Sequence, residues 1–242
     1  MTLPTSQFRR STSAAPRASL VWRARDLSLN AATGQVGTLV RAATGTSTDS
    51  NAVSLTTVRD RPRWHITSGL GAIKLGASEY LGHAFSFLPA AACSGLIDFV
   101  EDGTISTIGK PLFAVCGTSW TSPTLYVDVS AGSKYQITHN NSSTVVTSTM
   151  TGTAPTVCQR VQIRWHYYAD GKVQIFQSIA GAAETSATIS GTLAPAATWN
   201  GSPPTFWMNG LPGSVYGQNI FLGHVVMGGN QTLAALSQAL AY

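Results

Sequence analysis

The 242-residue chain combines a hydrophobic share of 43% with only 10% charged residues, a composition that excludes a highly charged disordered protein. A chain of this length can bury a substantial core, and β-sandwiches of this size commonly form one domain. Glycine, serine, threonine and alanine interrupt the apolar runs about every 8–12 residues, which is the spacing of short strands joined by turns. We therefore predict a single all-β domain.

No apolar run approaches the roughly 18 residues that would span a membrane, and the N-terminus lacks the continuous apolar core of a signal peptide. We expect neither membrane insertion nor classical secretion.

The three cysteines, Cys93, Cys116 and Cys158, are odd in number and lack the paired spacing of a zinc site or a disulfide framework. We interpret them as reduced residues of the core.

The positive charge is concentrated in the N-terminal quarter, where residues 1–63 hold nine arginines against three aspartates. Residues 1–18 lack periodic hydrophobicity and contain two prolines, which indicates an extended arm held by a neighbouring subunit or docked on its own domain. In this arm we expect the contacts to come from Leu3, Phe8, Arg9, Arg10 and Arg17. No aromatic stacking pattern accompanies the arginines, so nucleic acid is not the expected partner.

Beyond the arm, short apolar or alternating segments predict a succession of strands. A first strand lies within residues 19–29, and residues 34–60 are polar and rich in turns. Further strands are predicted at Arg63–Thr67, Ala72–Leu75, Ala84–Leu88, Leu96–Val100, Leu112–Val115, Thr124–Val129, Lys134–His139 and Val145–Thr149. In the strand at 124–129, Leu125, Val127 and Val129 fall on one face, as in a half-buried strand.

The clearest hairpin is VQIRWHYYADGKVQIFQSI, residues 161–179. Val161, Ile163, Trp165 and Tyr167 alternate with Gln162, Arg164, His166 and Tyr168, and Ala169-Asp170-Gly171 forms the turn. A last strand is predicted at Asn219–Met227. The segment TLAALSQAL, residues 232–240, predicts a short amphipathic C-terminal helix.

The order of these pieces resembles the laminin-G-like, concanavalin A-like jelly rolls, particularly those of bacteriophage structural proteins. The likeness rests on LVWRARDLSL, RPRWHITSGLGAIKLGASEYL, VQIRWHYYADGKVQIFQSIAG and IFLGHVVMGGNQTLAALSQAL. It implies a jelly-roll sandwich over residues 19–242, preceded by the arm. The resemblance says little about function, because one fold carries lectins, glycosidases, adhesion domains and virion proteins.

Glycosidases of this fold place carboxylates on one strand in a Glu-x-Asp-x-x-Glu pattern. The nearest match here is LIDFVE, with Asp98 and Glu101 at the right spacing but Leu96 in the place of the first glutamate. A turn before Asp102-Gly103 is the better interpretation.

The five histidines show no metal-ligand spacing. Asp128, Asn140 and Asn141 could contribute to a calcium site, but no loop concentrates carboxylates, so we expect no cofactor.

Two groups of aromatic and amide side chains are candidates for glycan or partner binding, because sugars stack on aromatic faces and bind amides through their hydroxyls. The first group lies in AATWNGSPPTFWMNG and comprises Trp199, Asn200, Phe206, Trp207 and Asn209. The second group is Trp120 and Tyr126. Sealing the ends of the sandwich or forming a subunit interface is the competing interpretation.

The leading hypothesis is a non-enzymatic bacteriophage virion protein, a capsid-decorating or auxiliary subunit that attaches through its arm. The alternative is a carbohydrate- or receptor-binding module of a tail fibre or baseplate, and a degenerate glycosidase is a weaker third. The expected partners are other virion subunits and further copies of the chain, with a cell-surface glycan as an additional one. The expected location is the virion, assembled in the host cytoplasm.

Overall fold

A computed structural model describes residues 18–23, 27–29, 36–39, 54–57, 63–67, 70–75, 80–84, 92–102, 110–116, 124–141, 144–190, 205–211 and 215–228. Every regular element in these ranges is a β-strand, which confirms the all-β prediction. None of the described residues belongs to a helix long and apolar enough to cross a membrane. The helix predicted at 232–240 lies outside the described residues, as does the arm except for Ala18.

The strands, in chain order, are β1 Ala18–Arg23, β2 Leu27–Leu29, β3 Val36–Leu39, β4 Ser54–Thr57, β5 Arg63–Thr67, β6 Leu70–Leu75, β7 Tyr80–Ala84, β8 Cys93–Glu101, β9 Phe113–Cys116, β10 Thr124–Val129, β11 Tyr135–Asn140, β12 Val145–Thr149, β13 Arg160–Tyr167, β14 Val173–Ile179, β15 Thr185–Ser186, β16 Thr205–Met208, β17 Gly210–Leu211, β18 Val215–Tyr216 and β19 Ile220–Gly228. The strands at 63–67, 124–129 and 145–149 have the predicted bounds. The stretch at 34–60, predicted to be polar and turn-rich, contains β3 and β4.

Most of the described strands form the two antiparallel sheets of the sandwich. Sheet I has the order β15-β14-β13-β8-β19-β6-β5, and β1 also pairs with β19. Sheet II has the order β12-β11-β10-β9-β16-β7-β4. The pairs β2–β3 and β17–β18 form two smaller sheets. Strands adjacent in these sheets are often distant in the chain, so the fold depends on long-range pairing.

The core lies between the two sheets and follows from alternation along their central strands. Leu125, Val127 and Val129 of β10 all point into it, as predicted from the sequence. On the other side, the buried apolar residues of β13 are Val161, Ile163, Trp165 and Tyr167. Phe113 of sheet II packs against Trp165 of sheet I with ring centroids 4.2 Å apart. These contacts fix how the sheets face each other.

Trp165 requires a glycine on the neighbouring strand. It pairs with Gly95 of β8, and a Cβ atom added to Gly95 would lie 2.0 Å from the indole atoms Cη2 and Cζ2. The indole is fully buried and packed against Phe113, so it has little room to move away. Gly95 is therefore a packing requirement of the β8–β13 pair.

The cysteines follow the sequence-based interpretation only in part. Cys93 is fully buried in the core, where burial raises the pKa of its thiol to about 12. Cys158 is exposed, so the prediction that it is a core residue is wrong. It lies in the turn before β13 with a φ of 65°, a left-handed conformation that its sequence context does not signal. The side chain of Cys116 lies outside the described residues.

We predict that Gly95→Ala lowers the free energy of unfolding by about 1–3 kcal/mol, because the added methyl group displaces the Trp165 indole from a well-packed core. Urea denaturation of the two proteins measures the difference. The matched control is Gly152→Ala, since an added Cβ at exposed Gly152 has no atom within 4 Å. Equal stability of the Gly95→Ala and Gly152→Ala proteins would contradict this account of the core.

Candidate functional site

The outer face of sheet I, which is turned away from sheet II, carries a row of polar side chains across its central strands. While the apolar residues of β13 enter the core, Arg160, Gln162, Arg164 and His166 alternate onto this face. Gln162 pairs with Asp98 of β8 on one side and with Ser178 of β14 on the other. Strand register therefore assembles the site from three separate segments of the chain.

Asp98 is the electrostatic centre of this face, with only 1% of its surface exposed. Arg160 donates to it from Nε at 2.9 Å and from Nη2 at 2.6 Å, and the Gln162 amide donates at 3.0 Å. His224 Nδ1 lies 3.7 Å from Oδ2, beyond hydrogen-bond distance. Burial alone would raise the pKa of Asp98, but the Arg160 guanidinium and the polar neighbours outweigh it and hold the pKa below its ordinary value. Asp98 is thus a buried, ionised anchor for Arg160.

An open pocket of about 460 Å³ lies beside this anchor, at the end of the outer face where β13 begins and β14 ends. Its described lining is Cys158, Gln159, Arg160, Gln162, Ser178, Ala180 and Gly181. Two turns form its walls, and Cys158 and Ala180 adopt positive φ angles of 65° and 51° in them. Pockets of this volume accommodate small ligands, and the guanidinium, amide and hydroxyl groups supply directional hydrogen bonds.

The same face continues beyond the pocket as a group of charged and aromatic side chains. Arg164 donates to both carboxylate oxygens of Glu184, at 3.0 and 2.6 Å, and its guanidinium lies 3.6 Å above the centre of the Phe176 ring. His166 also contacts Arg164, and the edge of its ring meets Phe176. The hydroxyl of Tyr168 donates to Gln174 at 2.8 Å. These contacts hold the side chains of the hairpin in fixed positions.

Asp98 and Glu101, the carboxylates matched to a glycosidase pattern, do not meet. Both belong to β8, so the turn predicted for them before Asp102-Gly103 is wrong. Asp98 points to the outer face, whereas Glu101 points between the sheets and accepts a hydrogen bond from the Tyr135 hydroxyl. Burial raises the pKa of Glu101 to about 7, partly offset by that hydrogen bond. Residues three apart in a strand face opposite sides, so this pair cannot act on one glycosidic bond.

Of the predicted aromatic set, the structure brings Trp207 and Tyr126 into one row on sheet II. Each pairs with Ala114, which lies between them on β9. Trp207 is 5% exposed, and Tyr126 is half-buried with its hydroxyl hydrogen-bonded to Thr138. Asn209 is buried and exchanges two hydrogen bonds with the backbone of Gln218, at 2.9 and 2.8 Å. Its amide therefore shapes the chain between β16 and β19.

The remaining predicted residues are placed only by backbone or not at all. Phe206 belongs to β16, and its backbone pairs with Val115 and His83. Trp120, Trp199 and Asn200 lie outside the described residues, as do Leu3, Phe8, Arg9, Arg10 and Arg17 of the arm. A glycan-binding role for the aromatic set and an assembly role for the arm remain predictions.

The suggested calcium ligands are not brought together. Asp128 pairs with Gln136, whereas Asn140 pairs with Thr124 at the other end of the same strand pair, about 13 Å away at 3.3 Å per residue. Asn141 uses its side-chain oxygen to accept from the backbone of Thr144 at 3.0 Å. Within the described ranges, no group of three or more His, Cys, Asp or Glu side chains is arranged to hold a metal ion.

Sequence reasoning did not select Arg160, Gln162 and Ser178 as site residues, although a signal for them exists. The alternation of the predicted hairpin already placed Gln162 and Ser178 opposite the apolar residues. An isolated arginine or glutamine on such a face usually contacts only solvent. Only the register with β8 shows that Arg160 and Gln162 bind a buried carboxylate.

The chain matches no family model and no curated protein sequence. Solved structures share its fold at low identity. The LG1–3 region of the laminin alpha2 chain is 10% identical with a TM-score of 0.51, over 61% of this chain and 30% of that one. The enzymatically active domain of tailspike protein 2 from bacteriophage CBA120 is 14% identical with a TM-score of 0.54, over 81% and 32%. This chain thus spans about a third of those two proteins.

A third similar structure matches along nearly its whole length. Domain 4 of AbnA, an extracellular arabinanase from Geobacillus stearothermophilus, is 9% identical with a TM-score of 0.50, over 93% of this chain and 97% of that one. These likenesses agree with the laminin-G-like fold inferred from the sequence and include a phage protein, as the resemblance implied. Identities this low establish the fold alone.

The sequence-based prediction that the chain is not an enzyme is wrong. It rested on the absence of a recognisable catalytic motif in the sequence. The same sandwich occurs in the enzymatically active domain of a phage tailspike, so the fold does not argue against catalysis. At 14% identity the likeness assigns no reaction to this chain either.

The position of Glu101 in the core predicts a loss of stability as the pH rises. Its pKa of about 7 in the folded chain exceeds the ordinary 4.5, so the folded state holds the proton that the unfolded state has already released between these values. The contribution of Glu101 to the free energy of unfolding should be fully present below pH 4.5 and fall by about 3 kcal/mol as the pH rises through 7. Glu101→Gln should remove this fall in denaturant titrations. Parallel pH profiles of the two proteins would contradict the assignment.

Proposed function

We propose that this β-sandwich binds a glycan in the outer-face pocket and serves on a phage particle. The observation that carries the proposal is the preorganisation of the pocket. Arg160 and Gln162 are held by hydrogen bonds to the buried Asp98, and Ser178 donates to the backbone of Ala182 at 2.6 Å. Groups fixed before binding lose little conformational entropy when a ligand arrives, which favours recognition of a polar ligand such as a sugar.

The charge balance of the face favours a neutral oligosaccharide. Arg160 is paired with Asp98, and Arg164 is paired with Glu184. Neither guanidinium therefore brings an uncompensated positive charge for a carboxylate or sulfate group. The pocket instead offers amide and hydroxyl groups from Gln159, Gln162 and Ser178, which suit the hydroxyls of an uncharged sugar.

Two of the similar structures support this proposal, one through its bound sugar and the other through its phage origin. Domain 4 of AbnA, which matches almost the whole chain, has its structure in complex with arabinotriose. A sandwich of the same fold and size can therefore bind a neutral oligosaccharide. The tailspike domain is an example of this fold in a bacteriophage protein, which supports the proposed virion location of our chain.

The finer part of the proposal concerns attachment to the particle. The arm, residues 1–18, would bind a neighbouring virion subunit, with its arginines meeting carboxylates or carbonyl oxygens there. The support is compositional: this short segment carries three arginines, no acidic residue and little apolar content. A capsid-decorating or auxiliary subunit would attach in this way and present its sandwich outward.

Blocking the pocket should abolish glycan binding without unfolding the chain. Ala180 is exposed and lines the pocket, so Ala180→Trp fills the space while the Asp98 contacts stay intact. We expect at least a tenfold loss of affinity, about 1.4 kcal/mol, in calorimetric titrations with arabinotriose and other neutral oligosaccharides. The control is Ala169→Trp, because Ala169 is also exposed but lies in the turn at the opposite end of the hairpin.

Two results would argue against the pocket. Unchanged binding by Ala180→Trp would show that the sugar does not enter it. Loss of binding in Trp199→Ala, with Ala180→Trp unaffected, would move the site to the aromatic set predicted from the sequence.

Removal of the arm should separate folding from assembly. Deletion of residues 1–17 leaves β1 complete, so thermal unfolding should be nearly unchanged, while incorporation into phage particles should be lost. Phe8→Ala should reduce incorporation more than Arg9→Ala, because an exposed ion pair contributes less than a buried ring. Mass spectrometry of purified particles measures the occupancy. Normal occupancy of the truncated chain would refute attachment through the arm.

A further inference from the structure

Strand β12 forms one border of sheet II and leaves half of its backbone groups without a described partner. The hydrogen bonds from Asn141 N to Thr144 O and from Met150 N to Tyr135 O fix which residues of this segment point towards β11. In an antiparallel ladder these are every second residue, so the N–H and C=O groups of Val145, Thr147 and Thr149 point away from β11. No described strand pairs with them.

This edge lacks the features that usually keep a strand from pairing with another chain. Proteins protect open edges with charges, prolines or bulges. The sequence of β12 is VVTST, and its five pairs with β11 continue without a bulge. An edge without a partner among the described strands, made only of neutral and mostly β-branched residues, therefore favours addition of another strand.

Exposed apolar side chains border the same edge. Val145 is 55% exposed. The segment 187–190 lies alongside β12, where the Ser148 hydroxyl donates to the carbonyl of Thr188 at 2.8 Å, and Ile189 in this segment is 44% exposed. We call Thr144–Thr149 together with Thr188 and Ile189 the β12 strip. It contains no charged residue.

We propose that the β12 strip pairs with the β12 strip of a second copy of this chain, joining the two sheets edge to edge. A two-fold axis through Thr147 places this residue opposite its own counterpart and Val145 opposite Thr149 of the other copy. Each of these pairs exchanges both of its outward backbone hydrogen bonds. Opposed threonines are a favourable cross-strand pair, and a two-fold contact closes the edge instead of propagating it.

The absence of charge in the strip favours a second copy over an unrelated partner, because there is no electrostatic pattern for another surface to match. The pairing should nevertheless be weak. A standard interface buries about 800 Å² per partner, and a five-residue edge with two exposed apolar side chains provides less. A concentration-dependent dimer is therefore expected, independently of whether the pocket binds a glycan.

Sedimentation velocity of the full chain over a wide concentration range tests the proposal. The wild type should shift from monomer to dimer, and Val145→Lys and Thr147→Pro should each weaken dimerisation at least tenfold. Thr147→Pro removes an N–H that points out of the sheet, a position where an edge strand tolerates proline, together with the hydroxyl contact to Thr138 at 3.1 Å. Circular dichroism and thermal unfolding verify that each variant is folded. If Thr147→Pro does not fold, Val145→Lys alone still tests the proposal.

The matched control is Val157→Lys, because Val157 is 46% exposed but lies outside the strip. It should dimerise like the wild type. A wild-type chain that stays monomeric at all concentrations would overturn the proposal. A strand of another protein would then be the candidate partner of this edge. Equal effects of Val145→Lys and Val157→Lys would overturn it too, because they would indicate nonspecific association.

Discussion

The carboxylate of Asp98 is shielded from water in the middle of sheet I, and a buried charge is tolerated only when donors surround it. Arg160 and Gln162 supply those donors, and they reach Asp98 because β13 pairs with β8 in one register. On the core side of the same two strands, the Trp165 indole requires Gly95 in that register. A slip of one residue would turn Trp165 outward and Gln162 inward. The β8–β13 pairing is therefore specified on both faces of the sheet.

The pocket depends on this pairing. Its floor consists of outer-face side chains that the buried carboxylate holds in place, and its walls are turns that begin where β13 and β14 end. Pairing Arg160 with Asp98 removes the excess charge while leaving an ordered surface of hydrogen-bonding groups. Hydrogen bonds to the buried carboxylate thus keep the outer face ordered, as the proposed binding of a polar, uncharged ligand requires.

Local patterns allowed much of the fold to be predicted, because alternation in a strand is visible in the sequence. The hairpin at 161–179 was predicted with its core residues, and Leu125, Val127 and Val129 were assigned to the correct face. The exposure of Cys158 could not be foreseen, because its left-handed backbone is imposed by the turn it occupies and is not signalled by a glycine. The position of β12 at the edge of sheet II could not be predicted from the sequence either, since strand order is a property of the tertiary fold.

The functional residues were harder to predict for the same reason. Asp98 and Glu101 were compared as a spacing in the sequence, but in β8 that spacing places them on opposite faces. Arg160 and Asp98 are 62 residues apart, so no local motif connects them. Catalysis was rejected for lack of a motif, yet motifs describe known families, and a sandwich of this fold also occurs within an enzymatically active domain.

Mapping of backbone amide chemical shifts during titration with arabinotriose and a panel of neutral oligosaccharides tests directly whether the outer-face pocket binds a glycan, because it locates the ligand on the unmodified chain. We expect shifts concentrated at 158–162 and 178–181, the two segments that line the pocket. Shifts confined to sheet II, or the absence of shifts with every sugar in the panel, would contradict it.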